Sequence, residues 1–205
     1  MGRARIALPA PTAPVTVSTL TAYARLPAGI TQPYLLYLGR VDRNKGCDTL
    51  LEYFTEYAAV HEGPSLVLAG PAKMQVPAHP RVRALGRVSD GERDALLQSA
   101  LALVVPSPFE SLSIVLLEGW NRAVPAIVNA RCAVLKGQVR RANGGLYYRS
   151  AAEFAEAVET LRASEPERRA LGAQGLAYVE REYRWPVVVG RIDDLFARIR
   201  GRSLP

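Results

Sequence analysis

The chain has 205 residues, room for one domain and a small addition, and its 49% hydrophobic and 22% charged residues describe a globular protein. No run approaches the roughly 18 apolar residues of a membrane-spanning helix. The net charge of +7 favours an anionic partner, but much of the Arg lies near the two ends (Arg3, Arg5, Arg25; Arg191, Arg198, Arg200, Arg202). With no aromatic-interleaved basic stretch and no helix-turn-helix signature, nucleic acid is not expected.

Residues 1–31 are rich in Pro, Ala and Thr, show no sustained period, and read as a linker or tail before one domain over 32–205. The opening MGRARIALPAPTAP is too broken by proline for the apolar core of a signal peptide. Leu35 to Leu38 form an apolar strand stopped by Gly39, and Leu50, Leu51, Phe54, Tyr57 and Ala58 then recur at helical spacing. Strands are expected at 66–69 and 82–85, followed by a helix from the N-cap Ser89 to Gln98. A β-branched run at 101–105 stops at Pro106-Ser107-Pro108, a helix follows, and Pro125 introduces a strand at 126–128. Residues 129–144, carrying Arg131, Lys136, Arg140 and Arg141, read as irregular, with a last strand at 146–148. Helices at 150–161, 166–181 and 186–199 close the chain, the last two separated at Trp185-Pro186. Strands alternating with helices predict a doubly wound, mostly parallel α/β sheet, Rossmann-like, with helices on both faces.

Cys47 and Cys132 lack metal-ligand spacing and suit a reducing, cytoplasmic compartment. His61 and His79 stand in turn-like, exposed contexts, so neither Ser-His nor zinc chemistry is indicated.

In a sheet of this kind ligands lie beyond the carboxyl ends of the strands, where helix N-termini offer free N–H groups. Two segments fall there. The first, Gly39-Arg40-Val41-Asp42-Arg43-Asn44-Lys45-Gly46, joins a strand to a helix, with glycines for the turn, a guanidinium suited to phosphate, and an ammonium at the helix start. It is neither a Walker loop nor a GxGxxG turn, and alone a solvated basic turn explains it equally well. The second carries Glu110 on the rim and Glu118 about two helical turns on, roughly 80° round if both were helical. A carboxylate among Leu116, Leu117 and Trp120 is costly to bury unless sugar hydroxyls, a backbone N–H or an arginine donate to it. For Glu110 the competing reading is a carboxylate favoured by a helix dipole; for Glu118 it is an ordinary helix-face residue.

LYLGRVDRNKGCDTLLEYF, LVLAGP, ALGRVSDGERDALLQSALALVVPSPFESLSIVLLEGW and GGLYY, in that order, resemble the C-terminal, donor-binding half of GT-B glycosyltransferases of the large retaining family 4 type, over about residues 34–200. The resemblance implies that Arg40 and Lys45, beside Gly39, meet a donor diphosphate, and that Glu110 contacts the transferred sugar and matters for catalysis. It also implies that Glu118 holds ribose hydroxyls, that Arg87 and Val88 after Gly86 lie along the base, and that the N–H groups of Leu112 and Ser113 face the phosphates or sugar. Ser111 stands where the family often has glycine, within Glu110-Ser111-Leu112-Ser113-Ile114, and bulk there narrows or re-specifies the sugar site. Cys132-Ala133 replaces a common glycine pair, Lys136 stands where an acid often follows, and the Asn129-to-Cys132 element has no role derivable from its chemistry.

The expected partners are a nucleotide sugar and an N-terminal, acceptor-binding half in this or another chain; peripheral contact with a membrane stays open. No cofactor or metal is expected, and the domain alone is expected to be inactive. Two alternatives remain: a non-catalytic nucleotide-binding module, and another GT-B activity such as a sugar-nucleotide epimerase or a phosphorylase.

Overall fold

Strand β1 (Tyr34–Leu38) is buried along its whole length, which is why it reads as a continuous apolar run. Tyr34, Leu36 and Leu38 face one core while Leu35 and Tyr37 face the other, the period of two that a central strand imposes. This arrangement comes from a computed structural model that describes residues 26–201, so most of the linker expected at 1–31 lies outside the described residues.

Around β1 the sheet assembles from β2 (Ser65–Ala69), β3 (Val82–Gly86), β4 (Ala102–Val105), β5 (Ala126–Asn129) and β6 (Gly145–Tyr148). Every pairing is parallel and the spatial order is β3-β2-β1-β4-β5-β6. The chain builds outward from β1 to β3, then crosses to β4 and builds outward the other way. The order therefore reverses between β1 and β4, the position where open α/β sheets leave a crevice for ligands.

Helices α1 (Cys47–Val60) and α5 (Ala151–Ala163) cover one face, through Leu50, Phe54, Phe154 and Val158. Helices α2 (Asp90–Ser99), α3 (Ile114–Trp120) and α4 (Ala133–Ala142) cover the other, through Leu96, Leu116, Leu135 and Val139. Helix α6 (Glu165–Glu182) packs across α3 and α4, and α7 (Trp185–Gly201) follows it. Ser89 caps α2 in a full capping box with Glu92, as its position implied. No described helix is long and apolar enough to cross a membrane.

Two local expectations are corrected. Residues 129–144 are not irregular, because α4 occupies 133–142. Its buried face is Leu135, Gln138, Val139 and Ala142, a helical stripe in which a polar glutamine and flanking basic residues masked the period. His61 and His79 are half-buried rather than exposed. The His61 ring stacks on Tyr57 at 5.0 Å, and His79 Nδ1 accepts from the Arg81 N–H at 3.1 Å.

Trp120 ties α3 to α6 and the sheet. Its indole N–H donates to the Gly144 carbonyl at 2.7 Å, and Tyr178 meets its ring edge-on at 5.7 Å. A Cβ on Gly175 of α6 would lie 2.3 Å from Trp120 Cδ1, so only glycine lets the helix approach this closely. Gly175→Ala sets a helix-propensity gain of up to ~1 kcal/mol against an overpacking cost of about 1–3 kcal/mol. The overpacking is expected to win, lowering the denaturant midpoint; a raised midpoint would show that α6 moves away at no cost.

Candidate functional site

The loop after β1 is held by its neighbours in β1 and β2 and by its own residues. Gly39 N donates to the Ala69 carbonyl at 2.9 Å, and the Tyr37 hydroxyl donates to the Arg40 carbonyl at 2.6 Å. Burial pushes the Tyr37 phenol far above its usual range, which keeps it a donor. Asp42 does two jobs: one oxygen caps the 3₁₀ turn Arg43–Lys45 by accepting from Asn44 N at 2.8 Å, and the other pairs with Arg40 Nε at 3.1 Å. Arg40 is thereby steadied while its side chain stays half exposed.

Gly46 ends this loop with φ +72°, and a Cβ there would lie 2.4 Å from the Pro106 carbonyl oxygen. The start of α1 is therefore pressed against the loop after β4. That contact brings Lys45 Nζ to 2.8 Å from Glu110 Oε1. Asn129, at the end of β5, donates to the Pro106 carbonyl at 3.0 Å, and Gln138 of α4 donates to the Leu112 carbonyl at 2.9 Å. Ser113 adopts φ +57° and is the N-cap of α3, so Glu110 lies in the loop before the helix. The helical angle between Glu110 and Glu118, and the reading of Glu110 as a helix-dipole carboxylate, do not apply.

Two adjoining clefts open on this edge. One, of about 470 Å³, is lined by Gly39, Arg40, Lys45, Glu110, Ser111, Leu112 and Ser113, with Tyr37 beneath. The other, of about 450 Å³, is lined by Gly39, Arg87, Val88, Glu118 and Arg93. They share Leu38, Gly39, Ile114 and Val115, so all ten residues singled out in the sequence face one continuous crevice at the β1/β4 reversal.

Of the donors that sequence reasoning allowed for Glu118, the structure supplies the arginine. Arg93 of α2 forms an ion pair with it, and both side chains are about one-third exposed. Arg93 was missed, although a cation in the first turns of a helix opposes the dipole and calls for a carboxylate nearby. Tyr37 was missed as a strand residue, and Gln138 because its helix was not recognised. The Ser113 hydroxyl is buried without a hydrogen-bond partner among the described residues. No group of three His, Cys, Asp or Glu side chains converges to hold a metal among the described residues. Both cysteines are buried and free, and burial pushes the Cys47 thiol up, away from the reactive thiolate.

The Rossmann-like fold recurs in known proteins. A sucrose-phosphate synthase from Thermosynechococcus elongatus superposes with a TM-score of 0.68 at 27% identity, over 83% of this chain and 46% of that one. WaaG, a glycosyltransferase of lipopolysaccharide biosynthesis, gives a TM-score of 0.59 at 22% identity, over 74% and 44%. HepE from Anabaena gives 0.66 at 14% identity, over 81% and 48%. The chain thus spans about half the length of these structures. No curated protein sequence matches it significantly. The family model "Glycosyl transferases group 1" matches residues 24–177, well over half the chain, and the neighbours share the GT-B architecture: the chain belongs to the glycosyl transferases group 1 and carries a Rossmann-like domain of the GT-B fold.

Proposed function

We propose that this domain binds a nucleoside-diphosphate sugar across the paired clefts and, with an acceptor-binding half, transfers its hexosyl group with retention of configuration. The observation that carries this reading is the placement of Arg40, Lys45 and Glu110 in one cleft and Glu118 and Arg87 in the adjoining one. Base and ribose fit the second cleft, ribose hydroxyls donating to Glu118 and the base lying along Arg87 and Val88. Diphosphate and sugar fit the first, near Arg40, Lys45, Ser111 and the N–H groups of Leu112 and Ser113. The HepE structure was determined with UDP and glucose, which supports the same ligand class here.

The Lys45–Glu110 pair is the working part. Lys45 is 38% exposed and Glu110 only 15%, so a diphosphate can reach the ammonium, but the carboxylate it leaves behind needs a new donor, which the hexose hydroxyls supply. Glu110, released, then faces the hexose. The bond from the anomeric carbon to the β-phosphate oxygen breaks while an acceptor oxygen bonds to that carbon on the same face, and the acceptor proton passes to the departing phosphate. Arg40 and Lys45 stabilise the charge gathering on the diphosphate, and the Glu110 carboxylate the positive charge on the sugar ring. Side-chain cations supply this stabilisation, so activity is expected without added metal.

The partner half is also part of this proposal. The chain spans about half of its structural relatives, and α7 exposes Trp185, Val189, Ile192, Phe196 and Ile199 at spacings of three and four, an apolar stripe suited to covering. Arginines beside that stripe leave peripheral membrane contact as a lesser role. Two buried free cysteines support a cytoplasmic setting.

Alone, the domain should bind UDP-, GDP- or ADP-sugars, the preferred one adding about 2.7 kcal/mol of stability at 100-fold over its Kd in a thermal-shift screen. Sugar transfer to a broad acceptor mixture should be negligible, and robust transfer by the 205-residue chain would refute the need for a second half. In the assembled enzyme, Glu118→Gln should raise the donor KM by the equivalent of about 1–3 kcal/mol with kcat kept, since ribose binding is alike in ground and transition states. Glu110→Gln should instead lower kcat while free nucleoside diphosphate binds almost normally. Near-wild-type kcat in Glu110→Gln would remove Glu110 from the chemistry.

A further inference from the structure

Pro106, which lines the Lys45/Glu110 cleft, also lines a third, smaller pocket. It has a volume of about 200 Å³ and is bounded by the first turn of α1 (Gly46, Asp48, Thr49) and by the carboxyl ends of β5 and β6. Arg43, Arg131 and Arg149 line it from three separate loops. Among the described residues none of the three has a carboxylate within ion-pair distance, whereas eight other arginines do. Asp48 is the one acid in the lining, and its Oδ1 accepts from Thr49 N at 2.9 Å. Glu153 takes the Arg149 backbone N–H at 2.6 Å, not its guanidinium. All three are exposed, so solvent screens their mutual repulsion, but three arginines lining one small pocket with a single acid still favour a bound anion.

A second observation is independent of charge. Tyr148 lines the same pocket and is 2% exposed, yet its hydroxyl has no hydrogen-bond partner among the described residues. The ring is fixed edge-on against Phe154 at 5.3 Å and Tyr53 at 6.0 Å. Burial raises its pKa and keeps the hydroxyl out of reach of solvent, so Tyr148 supplies a fixed wall of the pocket through its ring. The pocket is below the roughly 300–1,000 Å³ of sites for whole small molecules, and it suits one compact oxyanion.

We propose that this pocket is a second anion site, distinct from the Arg40/Lys45 cleft, and that it binds a phosphate-sized dianion, free or as a phosphomonoester, through Arg43, Arg131 and Arg149. Pro106 lines both pockets, and its carbonyl is held by Asn129, whose Oδ1 accepts from Arg131 N at 2.9 Å. An anion drawing on Arg131 therefore bears, through Asn129, on the loop that carries Glu110.

Calorimetry of the whole chain with inorganic phosphate and with glucose 6-phosphate tests the site, each repeated in the presence of saturating UDP. Saturable binding with a Kd of about 1 mM or tighter, retained with UDP present, is expected. Tighter binding of glucose 6-phosphate identifies a phosphomonoester ligand, and equal or weaker binding the free ion. The double variant Arg131→Ala/Arg149→Ala should lose at least ~10-fold in phosphate affinity, the scale of a lost charge-assisted hydrogen bond, with UDP binding unchanged. Tyr148→Phe breaks no hydrogen bond of the free protein and removes an oxygen that the pocket does not reach, so it should keep phosphate affinity and keep or raise Tm. No saturable binding, displacement by UDP, or wild-type phosphate affinity in the double variant would overturn the site. None of these outcomes depends on which nucleotide sugar the neighbouring cleft accepts.

Discussion

The approach of Gly46 to the Pro106 carbonyl is the constraint from which the rest of the functional edge follows. Only a residue without a Cβ, in the left-handed region, lets the start of α1 press against the loop leaving β4. Lys45 is carried with it and meets Glu110, although 65 residues separate them in sequence. Pro106 lines both the Lys45/Glu110 cleft and the three-arginine pocket, and Gly46 lines the second. A side chain at position 46 would push the two loops apart and disturb both.

Around that contact, polar groups are spent on positioning. Asp42 caps a turn and steadies Arg40, the Tyr37 phenol fixes the Arg40 carbonyl, and Asn129 and Gln138 hold the carbonyls of Pro106 and Leu112. Each of these is a second residue behind one that faces the crevice, the arrangement needed when charges must be ready before the ligand arrives. The two glutamates are likewise held by cations in the free protein, Glu110 by Lys45 and Glu118 by Arg93. Ligand binding on this edge is thus an exchange of partners between charges that are already paired.

The stability of the scaffold is concentrated away from this edge. Trp120, Gly144, Gly175 and Tyr178 lock α3 and α6 together, and α3 carries Glu118 on its outer side. A short helix of this kind has little stability of its own and depends on tertiary packing to exist. The orientation of Glu118 therefore rests on contacts made by a helix whose sequence lies more than forty residues further on.

The sequence by itself determined the strands, their parallel pairing, most of the helices, and the two loops where chemistry would gather. Continuous apolar runs ended by Gly or Pro, and the Ser89 capping box, are local signals that need no knowledge of neighbours. It did not disclose α4, because a helix that buries a glutamine between Leu135 and Val139 shows its period only when its partner surface is known. Nor did it disclose which cation meets which carboxylate: Lys45 with Glu110, Arg93 with Glu118, and Arg43, Arg131 and Arg149 lining one pocket with no acid paired to them among the described residues. Those pairings belong to the tertiary structure, since they depend on which loops the strand order brings to one edge and on how closely the glycines let them approach.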